Sequence, residues 1–477
     1  MSFTSLSFWF LFPFVFVFYW AIPAKWNTLR KVLLLVVSYL LYMNWKPAYT
    51  LVLLGVTLVT YWGGWFLELK EDSEETKIRT RKRLVWLFAL LGLLPLLVFK
   101  YYNFLNNSIS DGLSAIGLQF ALPGLNFAIP VGISFFSFQA VGYMLDVYHG
   151  RIKAEKNLVD YLLFVSFFPQ VMSGPISKAD ELLSQIKNPH KFDYMQGRLG
   201  LKYLLWGMFI KLVIADRLGL YVDTVYANYI HYSGASIFTA SIFYTLQIYC
   251  DFSGYSLMAI GIAKTLGFNL VNNFNRPYLA ISITDFWKRW HISLTRWLTQ
   301  YIYIPLGGSR CSKSRTYWNI FITFLVSGIW HGANWTFIIW GCMHGLLQII
   351  EKALGWQQYG GNHLPIKVAR IIITFMLVNF AWIFFRMPDV REAWGAIVKI
   401  FTDSGALRMS EMGTDILFII VIGLIVLFFK DLRDEFFHSK MLFLESNPVR
   451  WTIYIVLFCM ILSFGALDGS SFIYVSF

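Results

Sequence analysis

The sequence predicts an all-α polytopic membrane protein, and three observations carry that prediction. Of 477 residues, 57% are apolar, 19% aromatic and 14% charged, whereas an ordinary soluble domain is about 25% charged. The mean hydropathy is +0.56, and apolar runs recur along the whole chain at about the 20-residue length that spans a bilayer core. These runs lack the strict in-out alternation of a membrane barrel, which leaves the helix as the spanning element.

The net charge of +13 comes from 40 Lys and Arg against 27 Asp and Glu. In a polytopic protein this excess is explained by cytoplasmic loops that collect cations, so no nucleic-acid partner is implied. Cys250, Cys311, Cys342 and Cys459 are widely spaced and match neither a zinc site nor a disulfide framework, so no metal is expected and they read as buried small apolar residues. The apolar run from Phe8 to Ile22 precedes Lys25, the first basic residue, which is the reverse of a cleavable signal. A retained first span is therefore expected.

The first spans lie near 7–22, 32–44, 48–67 and 84–100. Lys25, Arg30 and Lys31 follow the first, and Lys70, Lys77, Arg79, Arg81, Lys82 and Arg83 follow the third, which places both loops in the cytoplasm and the N-terminus outside. From Tyr101 to Gly150 there is no Lys or Arg, so this stretch reads as an extracytoplasmic loop followed by a returning span at 129–147. Arg151, Lys153 and Lys156 mark the landing inside. Further candidate spans lie near 198–216, 236–266, 317–329, 334–354, 366–386, 414–430 and 451–467; of these twelve apolar stretches about eleven are expected to be transmembrane helices, alongside re-entrant or interfacial ones. No linker separates soluble domains. The chain reads as one membrane domain, with N-terminal spans in 1–128, a core in 129–355 and C-terminal spans in 356–477.

FFPQVMSGPI (167–176) and YIPLGG (303–308) interrupt the apolar pattern and suggest re-entrant segments, which are tolerated only where protein or a cavity covers them. The stretch from Asn273 to Arg310 mixes Trp, cations and one His. Ser282 and Asp285 form a capping-box pattern, after which Trp287, Trp290, Leu294 and Trp297 recur at helical spacing. Lys288, Arg289, His291 and Arg296 lie mostly elsewhere, so the segment reads as a basic amphipathic helix at the membrane surface, with Asp285 and Arg289 paired at i,i+4. His331 lies in SGIWHGANW within an apolar run, beside Trp330. An ionisable group at that depth marks a functional site or bridges helices. His344, 13 residues on, reads as structural.

These blocks resemble the membrane-bound O-acyltransferase (MBOAT) family, in particular its bacterial branch of alginate O-acetylation and D-alanyl transfer proteins. The resemblance rests on PVGISFFSFQAVGYMLDVYHG (130–150), FFPQVMSGPI, LQIYCDFSGYSLMAIGIAKTLGF (246–268), DFWKRWHISLTRWL (285–298) and SGIWHGANW (327–335). It implies helices around a central tunnel in the bacterial cytoplasmic membrane, with His331 as the family's WHG histidine and His291 as its second catalytic residue. It also implies a cytoplasmic acyl thioester, acetyl-CoA first, as a donor substrate rather than a permanently bound cofactor. A separate extracytoplasmic acyltransferase and a polysaccharide acceptor are the implied partners.

The ending SSFIYVSF (470–477) resembles the branch's terminal aromatic motif and makes Tyr474 a candidate acyl relay, although a lodged aromatic tail reads equally well. Lys288, Arg289, Arg296, Arg310, Lys313 and Arg315 are the local cations for donor phosphates, with Trp290 and Trp330 beside them. Asp251 either orients a catalytic His, lines the tunnel or bridges helices. IPLGGSR (304–310) and the extra C-terminal spans favour acetyl over D-alanyl transfer. A transporter is the rival of a different class, and the absence of an internal repeat argues against it.

Overall fold

The computed structural model describes residues 3–68, 75–118, 120, 122–356, 363–409, 412–436, 447–466 and 473. Among these residues every regular element is helical. Four helices are long and apolar enough to cross a membrane: Tyr49–Leu67, Arg79–Ser114, Leu364–Arg386 and Asn447–Phe464. A fifth arises if Leu6–Ala21 and Ala24–Met43, bent by 108° at their junction, count as one. The other expected spans are shorter, broken or richer in polar residues. The chain divides into two compact units, Met1–Leu201 with Ala259–Val271, and Lys202–Met258 with Asn272–Phe477.

In the first unit the helices are α1 (Leu6–Ala21), α2 (Asn27–Met43), α3 (Tyr49–Leu67), α4 (Glu75–Leu96), α5 (Tyr102–Ser114), α6 (Ile133–Tyr148), α7 (Leu158–Ser166), α8 (Ala179–Lys187) and the start of α9 (Tyr194–Phe209). The expected span at 84–100 does not end in a loop. Pro95 removes one backbone donor, the next residues, Leu97–Tyr101, form a π-helical turn, and the chain continues as α5. The Asn residues that suggested a loop bind the irregular returning segment instead. Asn103 Nδ2 donates to the Leu125 carbonyl at 2.8 Å, and Asn106 Nδ2 to that of Leu122 at 2.7 Å.

The break at 167–176 is irregular and buried, as the sequence suggests, and side chains satisfy its backbone and amides. Ser38 Oγ accepts from Phe168 N at 3.1 Å, and Gln170 Nε2 donates to Gln139 Oε1 at 2.9 Å. Gly132 has φ 74°, and a Cβ there would lie 2.2 Å from the Val171 carbonyl oxygen, so only glycine allows this approach. Two of the motif blocks are thereby packed together.

The second unit contains α10 (Asp216–Ala227), α11 (Gly234–Thr265, whose last turns belong to the first unit), α12 (Ile283–Arg289), α13 (Ile292–Leu298), α14 (Lys313–His331), α15 (Trp335–Ala353), α16 (Leu364–Arg386), α17 (Val390–Thr402), α18 (Thr414–Phe436) and α19 (Asn447–Phe464). Its core is a cluster of buried aliphatic and aromatic residues, among them Trp290, Trp340 and Trp382, each fully enclosed. The cysteine expectation holds for Cys250, which is buried, and fails for the other three: Cys342 is half-buried, and Cys311 and Cys459 are exposed. Cys459 lies on an apolar helix whose outer face needs no polar group, and Cys311 lies in the turn before α14.

The α14–α15 hairpin closes on small residues. A Cβ on Gly341 would lie 2.5 Å from the Phe324 carbonyl oxygen, and one on Gly328 2.4 Å from that of Phe337. Gly341→Val should therefore cost about 1–3 kcal/mol by overpacking, seen as a lower unfolding temperature of the detergent-solubilised protein. Gly55→Ala, with nothing within 4 Å of the added carbon, should leave that temperature unchanged or raise it.

Candidate active site

His331 is the last residue of α14, where Gly332 lets the chain leave in an extended conformation with φ −163°. A Cβ on Gly332 would lie 2.1 Å from the Phe337 ring, so the glycine of the WHG sequence is required for space rather than for φ. Asn334 then caps α15 by accepting from Thr336 N at 3.0 Å. The imidazole of His331 is thus held at a helix end inside an aromatic shell, with ring centroids 4.9 Å from Trp330, 4.9 Å from Trp340 and 5.3 Å from Phe385.

The expected amphipathic helix is not a single helix, and its aromatic face is buried inside the protein. Ser282 caps it as predicted, accepting from Asp285 N at 3.0 Å. The helix then ends at Arg289, and a second one starts at Ile292. Trp287, Trp290, Leu294 and Trp297 are 4%, 0%, 1% and 9% exposed, so the aromatic stripe is core. Between the two helices, His291 adopts the left-handed conformation, φ 43° and ψ 54°, and is 0% exposed. Arg276, with φ 48°, is the other such non-glycine residue among those described. Left-handed backbone costs an ordinary residue about 1–2 kcal/mol, and helical periodicity alone cannot reveal it.

Asn273 holds this break. Its carbonyl accepts from Ile292 N at 2.9 Å. Its Oδ1 accepts from Ser293 Oγ at 2.7 Å and Ser293 N at 3.2 Å, and its Nδ2 donates to Ser256 Oγ at 3.3 Å. A backbone N–H can only donate, so the atom facing it is the amide oxygen. That oxygen also lies 3.3 Å from His291 Nδ1, which must then carry the proton and leave the lone pair on Nε2. Asn273, Ser256 and Ser293 escape a reading of sequence alone, because a polar residue within an apolar run does not declare its partner.

The two predicted histidines come together: their ring centroids are 6.5 Å apart, and Trp330 lies 5.9 Å from His291. Phe252 packs edge-on to His291 at 4.7 Å. Trp290 belongs to the same shell, 5.0 Å from Phe274 and 5.1 Å from Trp382. His344 accepts a 3.2 Å hydrogen bond from Trp287 Nε1, as a structural residue would.

The charged candidates separate. Asp251 pairs with Lys211, a buried lysine in the apolar run LLWGMFIKLVIA that sequence reasoning passed over, and accepts from Ile473 N at 2.8 Å. These contacts make it a bridge between segments. Arg289 pairs as predicted with Asp285 at 2.9 Å, and also with both carboxylate oxygens of Glu435, at 2.9 and 3.1 Å. These contacts hold it in place, with Glu435 shared by Arg276 at 3.1 Å, and set it apart from the other cations named for a phosphate. Lys288, Arg310, Lys313 and Arg315 are exposed, and Arg296 is half-buried. Tyr474 lies outside the described residues.

Residues 151–388 match the membrane-bound O-acyltransferase family. The chain is 38% identical to a probable alginate O-acetylase AlgI of Pseudomonas aeruginosa, over 90% of this chain and 80% of the relative. It is 34% identical to a peptidoglycan O-acetyltransferase of Helicobacter pylori, over 78% and 73%, and 28% identical to a teichoic acid D-alanyltransferase of Streptococcus thermophilus, over 64% and 76%.

The left-handed turn at position 291 makes its own prediction. His291→Asn, which tolerates φ > 0, should fold with nearly the wild-type unfolding temperature, whereas His291→Val should lose roughly 1–2 kcal/mol more. Equal unfolding temperatures for the two variants would show that the turn is not held as described.

Proposed function

The chain belongs to the membrane-bound O-acyltransferase family, and from that premise we propose that it O-acetylates a polysaccharide outside the bacterial cytoplasmic membrane, using acetyl-CoA from the cytoplasm. The observation that carries this reading is the pair of buried histidines, 6.5 Å apart in one aromatic shell. The relatives support acetyl over D-alanyl, since the O-acetylating ones are 34–38% identical and a D-alanyltransferase is 28% identical. In this reading about eleven spans surround a central tunnel and the N-terminus is outside. The phosphates of the donor meet the exposed cations Lys288, Arg310, Lys313 and Arg315, with Arg296 behind them.

A hydroxyl is a poor nucleophile until a base takes its proton. In the proposed step the phenol oxygen of Tyr474 attacks the thioester carbonyl while His331 accepts the proton. The C–S bond breaks, the proton passes to the departing thiolate, and an aryl acetate remains. His291, with its lone pair on Nε2, is the second acceptor at the site and steadies the hydroxyl or the imidazole opposite. An aryl ester is still activated, so a separate extracytoplasmic acyltransferase can take the acetyl group to the polysaccharide, and coenzyme A never crosses the membrane.

His331→Ala should lower kcat for acetyl transfer in the purified, reconstituted protein by about 10²–10⁴-fold, and full activity in that variant would remove the base. Radiolabelled acetyl should be retained by the wild type and lost in Tyr474→Phe, and equal labelling would exclude the relay. Labelling by a D-alanyl carrier protein, but not by acetyl-CoA, would overturn the acetyl reading.

A further inference from the structure

His291 lies in one of two short segments that pair through their main chains. Asn275 N donates to the Arg289 carbonyl at 2.9 Å, and Ile292 N to that of Asn273 at 2.9 Å, so 273–276 runs beside 289–292. Each segment holds one non-glycine residue in the left-handed region, Arg276 with φ 48° and His291 with φ 43°. That conformation is unfavourable for any residue with a Cβ, so two such turns side by side need support from outside the pair.

The last two turns of α18 supply it. One carboxylate, that of Glu435, reaches both segments. Its Oε2 lies 3.1 Å from Arg276 Nε and accepts from Arg289 Nη1 at 2.9 Å, while its Oε1 accepts from Arg289 Nη2 at 3.1 Å. The Glu435 side chain is 11% exposed, and a bidentate contact to Arg at that depth is stronger and more directional than an exposed ion pair. One turn earlier on the same face of the helix, Asp431 Oδ2 accepts from Tyr249 Oη at 3.1 Å. The Tyr249 ring packs on Phe274 at 5.9 Å and on Trp290 at 6.4 Å, the neighbours of Asn273 and His291 in the two segments. Positions 431 and 435 thus meet both segments, one through a ring and the other through charge.

We propose that Glu435 is a positioning residue for His291, acting through Arg276 and Arg289, with Asp431 and Tyr249 as the second arm of the same brace. Glu435 fixes the residue two positions before His291 and the one three positions after Asn273, so its loss should free the turn that carries the imidazole. The catalytic meaning of the brace rests on the reading of His291 as a residue of acetyl transfer, but the brace itself is testable without it.

Modification by diethylpyrocarbonate, located by peptide mass spectrometry in the detergent-solubilised full chain, reads the accessibility of His291 against that of His344, which is equally enclosed but lies on α15. Glu435→Ala should raise the His291 rate about tenfold with His344 unchanged, as expected when hydrogen bonds between charged groups are lost and a segment opens locally. Glu435→Asp, which keeps the charge, should raise it less, and Leu432→Ala, on the exposed side of α18, should not change it. Arg276→Gln should raise the rate as well, and combining it with Glu435→Ala should give less than the product of the two single effects, because the two residues share one contact. An unchanged His291 rate in Glu435→Ala, or a rise at His291 and His344 together, would overturn the brace, whatever the activity. Where the His291 rate alone rises, acetyl transfer should show a lower kcat with an unchanged KM for acetyl-CoA. A raised rate with unchanged transfer would leave the brace standing and remove His291 from the reaction.

Discussion

Hydrocarbon offers no hydrogen-bond partner, so each interruption of a helix in this chain must find its partners within the protein. That constraint organises the molecule. At 167–176 the partners are Ser38, Gln139 and Gln170. Between α11 and α12, Asn273 binds the backbone of 292 and 293, while Arg370 Nε donates to the Ile281 carbonyl at 3.1 Å. The first turn of α12 is met by Glu351, whose carboxylate accepts from Ile283 N and, at 3.0 Å, from Thr284 N. Ser38, Gln139, Glu351 and Arg370 come from helices distant in sequence, whereas Gln170 and Asn273 lie within the breaks they serve.

The histidine site follows from one of these breaks. Had α12 and α13 been continuous, position 291 would have followed the helical course of its neighbours. The left-handed residue turns the chain, and the bonds to Asn273 offset its backbone cost. At the other end of the site, α14 stops at His331, where the Phe337 ring leaves no room for a Cβ on the next residue. Both imidazoles therefore lie at helix ends, where a side chain is held by main-chain geometry on one side and ring packing on the other.

Much of this was legible in the sequence. Apolar periodicity and the scarcity of charge indicated an all-helical membrane protein, the Ser282 cap was visible, and both histidines stood out as polar residues in apolar surroundings. The break at 290–291 was not legible, because Trp287, Trp290, Leu294 and Trp297 keep helical spacing across it. The partners of the charged residues were equally hidden. Arg289 meets Glu435, and Asp251 meets Lys211, across 146 and 40 positions of sequence, and neither local pattern names its opposite. The polar stretch after residue 101 departs from the expected loop for a related reason: Asn103 and Asn106 favour loops when solvated, yet here they sit on a helix and bind an irregular returning segment.

The π-helical turns at Leu97–Tyr101, Ile210–Ala215 and Thr299–Tyr303 restrict how this chain can change its length. A π-helical turn, bonded i→i+5, holds one residue more than an α-helical turn in its place, so it can lose a residue and close as α-helix, whereas a residue lost from a flanking α-helix turns everything beyond it by about 100°. A deletion between Lys211 and Asp216 would leave them at i,i+4 and still able to pair, and one in α10 would rotate the rest of that helix. Divergence in length along these helices should therefore concentrate at the π-helical turns and in the loops outside them.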